Sequence, residues 1–530
     1  MGCHVVVTRA PQQDYRNDYV SLPPSYGSKD WQQRPDVAAI TRTVHENLER
    51  LDRLSGFTRQ LQGRRVIIKP NLVTVFHNAG FVERDYPNTT DPRVLDAVIE
   101  FFQRYSDDII IAESSGRSMP TRGSFRIAGL HRLARRRGVK LVALEEQPVD
   151  LYMVPAARIM KTMLLPRLFR QVVSGEAFYV SLPKLKTNLF TTVTLGSKNS
   201  MGCIPYNLRQ KNHNYDLEQK LVDMLYLFKP HLTIIDGIVG AQGQCPAPVE
   251  PVDSRVIISG NNSVETDWVA TGIMGFDPAS VKLNVLARQQ GFGHEQCHVE
   301  GDTEPAAFRP ADPSLLGNGF ARLFPNVRVL IGHSRSASPN PGSSSRWLEM
   351  MENSCRGGCL ATTRLGFEFI HHEGLDRNFH LTLVIGAGWQ GDGQPRWYDR
   401  DGKAWNVGDI DALDHSKIFV GNCAVEQLPE TPGAIPGCMV FPNAVHMKLH
   451  TITGSRCRLV NPLAPSAPML LWSTWRMRRI RMGLLRRGEH LDYYPGITPE
   501  TGANLPPLTR QQRRRLIRDE WREIKDLIFY

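Results

Sequence analysis

The chain has 530 residues and a formal net charge of +11, with hydrophobic residues at 41% and charged residues at 22%. That length supports two or three domains with substantial cores, and the composition is ordinary for a soluble globular protein. No apolar run approaches the roughly 20 residues that cross a bilayer, and the opening Met1-Gly-Cys-His-Val-Val-Val7 shows no basic n-region or signal-type cleavage site, so no membrane span is expected and the expected compartment is cytoplasmic.

Strand-like apolar runs occur at Val5–Thr8, Arg65–Lys69, Asp108–Ala112, Leu141–Ala143, Phe178–Val180, Leu232–Ile235 and Arg255–Ser259. Helix-period segments alternate with them, notably Asp91–Arg104, which opens with Asp91 as cap and Pro92 as first helical residue. This alternation predicts an α/β fold, a mostly parallel sheet covered by helices, in two lobes with a cleft between them. The predicted domains are a main α/β domain over 1–285 and a connection over 286–325. A second α/β domain over 326–465 carries strands at Asn326–Ile331, Leu381–Ile385 and Lys417–Val420 and a helix near Arg346–Glu352. Its Gly386-Ala-Gly388-Trp-Gln-Gly391 spells G-x-G-x-x-G, but turn residues follow instead of a helix, so a dinucleotide site is not expected.

Residues 466–530 read as a basic tail. From Leu471 to Tyr530 there are thirteen Arg or Lys against seven Asp or Glu. Arg476, Arg478, Arg479 and Arg481 could face an anionic surface, yet Leu516, Ile517, Trp521, Ile524 and Ile528 recur at helical spacing behind Thr509, with Gln512 three residues on. The expectation is an amphipathic terminal helix docked on the body. Nothing matches an aromatic-basic nucleic-acid motif, so no nucleic-acid partner is expected.

The chemistry concentrates in Ser181-Leu-Pro-Lys184-Leu-Lys186-Thr-Asn188 and Thr192-Val-Thr194-Leu-Gly196-Ser-Lys198-Asn199-Ser-Met-Gly202, directly after a strand. Lysines beside hydroxyls and a Gly-rich turn suit an anionic group. Polar motifs end three further strands, at Lys69-Pro-Asn71, Glu113-Ser114-Ser115 and Asp236-Gly237, where open α/β sheets place their ligands. Lys184, Lys186, Lys198, His213 and Asp236 are the expected catalytic residues. Lys69, Asn71, Glu113, Ser114, Ser115, Asn188, Thr192, Thr194, Asn199 and Gly202 are expected to hold the substrate.

Nine cysteines occur at no disulfide-scaffold spacing, and most are expected as reduced thiols. Cys355, Cys359, Cys423 and Cys438 form the alternative metal set, for zinc or an iron–sulfur cluster; no metal or other cofactor is favoured. His371-His372-Glu373 and the pair His446 and His450 carry metal-ligand residue types, neither flanked in sequence by further ligands.

The ordered set Ile67-Ile-Lys69-Pro-Asn71-Leu-Val73, Thr89-Thr90-Asp91-Pro92, Glu113-Ser-Ser-Gly116, Leu182-Pro-Lys184-Leu-Lys186-Thr-Asn188, Lys198-Asn199-Ser-Met-Gly202, His213, Asp236-Gly237 and Asp267 resembles the family called domain of unknown function 362, often labelled uncharacterised iron–sulfur-centre proteins. The resemblance spans about residues 1–280, and Gly421-Asn-Cys423 with Gly437-Cys438 looks like a C-terminal portion of some members. Many members carry His in place of Asn188 and an appended ferredoxin module, whose cysteine run is absent from this sequence.

The resulting expectation is a soluble enzyme acting on a small carboxylate- or carbonyl-bearing metabolite by lysine-assisted proton chemistry, an isomerase or lyase rather than an oxidoreductase. One rival is an iron–sulfur or other metal-dependent redox protein using the four cysteines; another is a non-catalytic anion-binding module.

Overall fold

The computed structural model describes residues 2–73, 88–116, 119–210, 216–246, 248–334, 347–354, 358–391, 393–428, 433–437, 440–455, 467–492 and 505–529. The chain divides into two compact units, Met1–Arg209 with Glu218–Pro310 and Asn461–Tyr530, and Gln210–Leu217 with Ala311–Val460.

The first unit is built on one large sheet. Its strands are β1 (Cys3–Arg9), β2 (Arg65–Pro70), β3 (Ile109–Glu113), β4 (Lys140–Ala143), β5 (Ala177–Leu182), β6 (Lys184–Asn188), β7 (Thr192–Thr194), β8 (Leu232–Gly243), β9 (Val249–Val252), β10 (Val256–Gly260) and β11 (Cys297–Gly301). The order across the sheet is β11-β1-β10-β8-β5-β2-β3-β4. From β8 to β4 all neighbours run parallel, while β10 is antiparallel to both of its own. The central parallel strands β2, β3 and β5 are almost wholly buried, as strands covered on both faces must be, while the edge strand β4 is only partly buried. Helix α1 (Pro35–Ser55) turns Ile40, Val44, Leu48 and Leu51 into that core at helical spacing. Helix α2 (Pro92–Phe102) starts as the sequence predicts: the Asp91 carboxylate accepts the Arg93 amide and Pro92 opens the first turn.

Because the parallel strands share a direction, β2, β3 and β5 end on one side of the sheet, and their polar ends meet there. Strand β6 continues from β5, pairs with β8 through a bulge, and folds back into β7.

Strand β11 lies in the stretch expected to be a connection. Its only apolar aliphatic residue, Val299, is exposed, so no periodicity marks it. Backbone pairing with β1 holds it, together with a disulfide between Cys3 and Cys297, the one departure among the described cysteines from the expected thiols. Cys203, Cys245, Cys359 and Cys423 form no disulfide among the described residues.

The tail belongs to this unit. Helices α7 (Ala467–Arg486) and α8 (Arg510–Phe529) pack together, and Thr509 and Gln512 exchange side-chain-to-backbone hydrogen bonds in a capping box. Leu516 and Ile517 pack on Leu484, Leu485, Leu491 and Leu508, whereas Trp521 is exposed. Arg478 and Arg481 do not face solvent: both are buried on Glu520, at 2.7 and 2.9 Å, and Arg481 also meets Asp492 at 2.6 Å. Among the described residues no helix is long and apolar enough to cross a membrane.

The second unit has a smaller sheet, with β12 (Val327–Ile331), β13 (Leu381–Ile385), β14 (Trp389–Gly391), β15 (Gln394–Tyr398), β16 (Ala404–Trp405), β17 (Ser416–Val420) and β18 (Ala434–Ile435), ordered β14-β15-β12-β13-β17-β18. Alternate residues fill two cores. Leu383, Ile385, Ile418 and Val420 meet helices α5 (Cys359–His372) and α6 (Pro442–Thr453) on one face, and Leu330, Val384 and Phe419 meet Trp397 and Trp405 on the other. The G-x-G-x-x-G segment leads into strand β14, not a helix, as its turn residues predict.

Glu520 neutralises two buried guanidinium groups, so Glu520→Gln is expected to destabilise the first unit by about 3–5 kcal/mol. The check is a urea midpoint shift at unchanged slope; a shift below about 1 kcal/mol would show that the tail helices hold by apolar packing alone.

Candidate functional site

At the strand ends of the first unit, lysines, carboxylates and carboxamides form a buried network. Lys69, ending β2, places its Nζ 2.8 Å from Glu113 Oε1 and donates to Asn199 Oδ1 at 3.0 Å. Glu113 also accepts the Ser114 and Leu72 amides, so its two oxygens tie β3 to the chain leaving β2. Asn199 donates to Lys69 O and Ser181 Oγ, and its Oδ1 accepts Asn71 Nδ2. Gly202 lies over this knot: a Cβ there would sit 2.7 Å from Glu113 Oε1 and from Lys69 Nζ, so a side chain at 202 would displace the ends of both partners.

Lys184 and Asp236 face each other across β6 and β8 at 2.8 Å with both side chains fully buried. Asp236 also accepts the amides of Asp91 and Ile238. Lys186, two residues on and on the same strand face, donates to Asn71 Oδ1 at 2.8 Å and to Asn88 O at 2.6 Å. Its partners are neutral. Burial lowers its pKa, Cys245 opposes the shift, and Lys184 adds to it.

Lys198 differs from the other three. It sits in helix α3 (Gly196–Asn199), is half-buried, and has no hydrogen bond or salt bridge among the described residues. Burial pushes its ammonium down to about 8, against Cys245 and with help from Lys186 and Arg209. Asp267 anchors this short helix by accepting the Gly196 and Ser197 amides at 2.7 and 2.8 Å. Burial raises the Asp267 carboxyl to about 6.

The remaining expected residues divide by role. Asn188 spends its Oδ1 on Phe190 N, Thr191 N and Thr191 Oγ1, a turn-closing pattern. Thr192 is exposed, with φ +65°. Thr194 Oγ1 is buried with no hydrogen-bond partner among the described residues, a polar atom left over at the site. The Ser114 and Ser115 carbonyls accept Arg209, a buried cation that no sequence pattern singled out. Cys245 was likewise unmarked, in the turn beside Lys186 and Lys198. His213, Cys355 and Cys438 lie outside the described residues. A cavity of about 400 Å³ around Asp150, Arg167, Arg170 and His490 contains none of these lysines.

Burial of the second thiol in this region, Cys203, raises it to about 12, so it is a packing residue and no nucleophile. The arrangement thus holds two neutralised lysines, Lys69 and Lys184, and two cations without a carboxylate, Lys186 and Lys198.

The fold and this buried cluster define an α/β protein with a polar site at parallel strand ends. The family described as Domain of unknown function (DUF362) matches residues 66–272, so that part of the chain is similar to it. A thylakoid-associated protein of Synechocystis sp. is 26% identical over 269 residues, covering 49% of this chain and 76% of the relative. No solved structure matches significantly.

The two kinds of lysine should respond oppositely to substitution. Lys184→Met strands the Asp236 carboxylate and is expected to cost about 3–5 kcal/mol. Lys198, with its folded pKa of about 8 below the ordinary 10.5, holds fewer protons folded than unfolded between those values. Stability therefore rises with pH across that window, and Lys198→Met should flatten the rise and stabilise the protein at pH 7. Denaturation at pH 7, 8, 9 and 10 checks both; a Lys198→Met variant with the wild-type slope contradicts the assignment.

Proposed function

We propose that the first unit is an enzyme acting on a small carboxylate- or carbonyl-bearing metabolite by lysine-assisted proton transfer. The observation that carries this reading is Lys198, a half-buried amine without a neutralising partner among the described residues and with a pKa of about 8. Such an amine is substantially unprotonated at pH 8 and serves as a general base. In this reading the Lys186 ammonium receives the substrate's anionic oxygen, and Lys198 Nζ takes the proton from the carbon next to the carbonyl. The electron pair of that C–H bond moves to the carbonyl oxygen as an enolate, beside Lys186. Return of the proton to the opposite face is epimerisation and to a neighbouring carbon isomerisation; loss of a leaving group from the next carbon is elimination. Lys184, Asp236, Lys69 and Glu113 hold the frame in which those two cations stand. Such a frame also suits a non-catalytic anion-binding module, which binds but exchanges no proton.

Incubation with a panel of small keto and hydroxy acids in D2O tests the chemistry. Deuterium incorporation next to the carbonyl, rising through pH of about 8 and lost in Lys198→Met, is the expected result. A small carboxylate should also stabilise the wild type, by about 2.7 kcal/mol at a hundredfold excess over Kd, and stabilise the variant much less. Equal stabilisation of both with no exchange overturns the reading.

A second reading rests on the second unit. Cys359 Sγ lies 2.9 Å from where a Gly421 Cβ would stand, and Asn422 exchanges hydrogen bonds with Gly437, so Cys359 meets the Gly421–Cys423 turn, which is itself tied to Gly437. This supports an iron–sulfur or zinc site on Cys355, Cys359, Cys423 and Cys438. Anaerobically purified protein that is brown, with iron and acid-labile sulfide lost in Cys359→Ser, is the expected outcome of that reading. A colourless, iron-free and zinc-free sample removes it.

We keep the cytoplasm as the proposed compartment, although the Cys3–Cys297 disulfide is of a kind rare there. Any membrane association of the kind named for the Synechocystis relative would be peripheral. Full-length protein that resists extraction from membranes by high salt and carbonate contradicts this placement.

A further inference from the structure

In the second unit, Glu373 caps the C-terminal end of helix α5, and His446 and His450 stand one turn apart on helix α6. The two helices approach closely because α5 has a glycine at the crossing: a Cβ on Gly366 would lie 2.8 Å from Val445 Cγ1 and 3.3 Å from the His446 backbone nitrogen. Two motifs that are separate in sequence thereby meet. His446 Nε2 is 3.3 Å from Glu373 Oε2, His450 Nε2 is 2.9 Å from the same oxygen, and the two Nε2 atoms are 3.0 Å apart. All three side chains are at least 96% buried, with exposures of 1, 1 and 4%.

The hydrogen bonds behind His450 fix which of its nitrogens faces the carboxylate. With the Thr453 hydroxyl donating to Leu449 O at 2.9 Å, its oxygen is open to accept from the Ser455 hydroxyl at 2.7 Å. In that arrangement Ser455 Oγ offers a lone pair to His450 Nδ1, 2.6 Å away, and Nδ1 is the protonated nitrogen of the neutral ring. In that tautomer Nε2 turns a lone pair toward Glu373, whose two oxygens are buried and have no donor in good hydrogen-bonding geometry among the described residues. Lone pair against carboxylate, away from water, is repulsive; a cation at that point makes every contact attractive. The separations fit one ion. Ligands at about 2.1 Å stand about 3.0 Å apart at right angles and about 3.4 Å apart in a tetrahedron.

We propose that Glu373, His446 and His450 bind a divalent first-row transition-metal ion, with Ser455 orienting His450 from behind. Two imidazoles and one carboxylate leave further coordination positions open, as a metal that also binds water or a substrate requires. The site is independent of the lysine cluster and uses none of the four cysteines.

The test uses the full-length protein, stripped with EDTA and titrated with cobalt(II) chloride, then zinc chloride. The expected result is one cobalt per chain with a visible d–d band and no thiolate charge-transfer band, displaced by zinc. Glu373→Gln, which keeps the side-chain shape, and His450→Ala should abolish that band. Ser455→Ala should bind about 10–100-fold more weakly, as loss of a ligand's supporting hydrogen bond does. A thiolate band, no cobalt binding, or wild-type affinity in a folded Glu373→Gln protein overturns the proposal. Should His450→Ala fail to fold, Glu373→Gln decides, because it removes the charge and leaves the packing.

Discussion

A charge taken out of water must meet its opposite or be neutralised, and the first unit is organised around that requirement. Lys69 with Glu113 joins β2 to β3, and Lys184 with Asp236 joins β6 to β8. Arg93 does the same for the start of α2, reaching Asp91 at 2.7 Å and Asp36 on α1 at 2.6 Å. In the tail, Arg478 and Arg481 converge on Glu520. Apart from Arg93 with Asp91, each pair links segments distant in sequence, so the register of the strand ends is specified by charge as well as by packing. Against that background an unneutralised Lys198 stands out physically, and not merely as one more basic residue.

Most of the sheet was legible because its strands are continuous apolar runs separated by capped helices. The Asp91–Pro92 start and the Thr509 and Gln512 capping box were readable because caps are local chemistry, set by residues three apart. Strand β11 was not readable, since an edge strand held by backbone pairing and a disulfide needs no hydrophobic face.

The site was half legible. Residue types and their positions after strands placed Lys69, Glu113, Lys184 and Asp236 in one region, but sequence could not say which lysine pairs with which carboxylate. That depends on strand order, and β8 lies between β10 and β5 through crossovers that no local pattern encodes. The arginines of the tail show the same limit: a run of positive charge looks solvated until a buried Glu520 is known to face it. Glu373 illustrates it in the second unit, because its partners lie more than seventy residues away on another helix.

Gly202 carries a consequence for evolution. Its missing side chain leaves room for the Lys69–Glu113 contact, so positions 69, 113 and 202 form one unit of inheritance despite their distance along the chain. A side chain acquired at 202 presses on the ends of both partners, so the ion pair beneath it must shift to accommodate the change. A substitution at 202 is therefore felt at 69 and 113, and a compensating change at either of those positions is the route by which it would be tolerated.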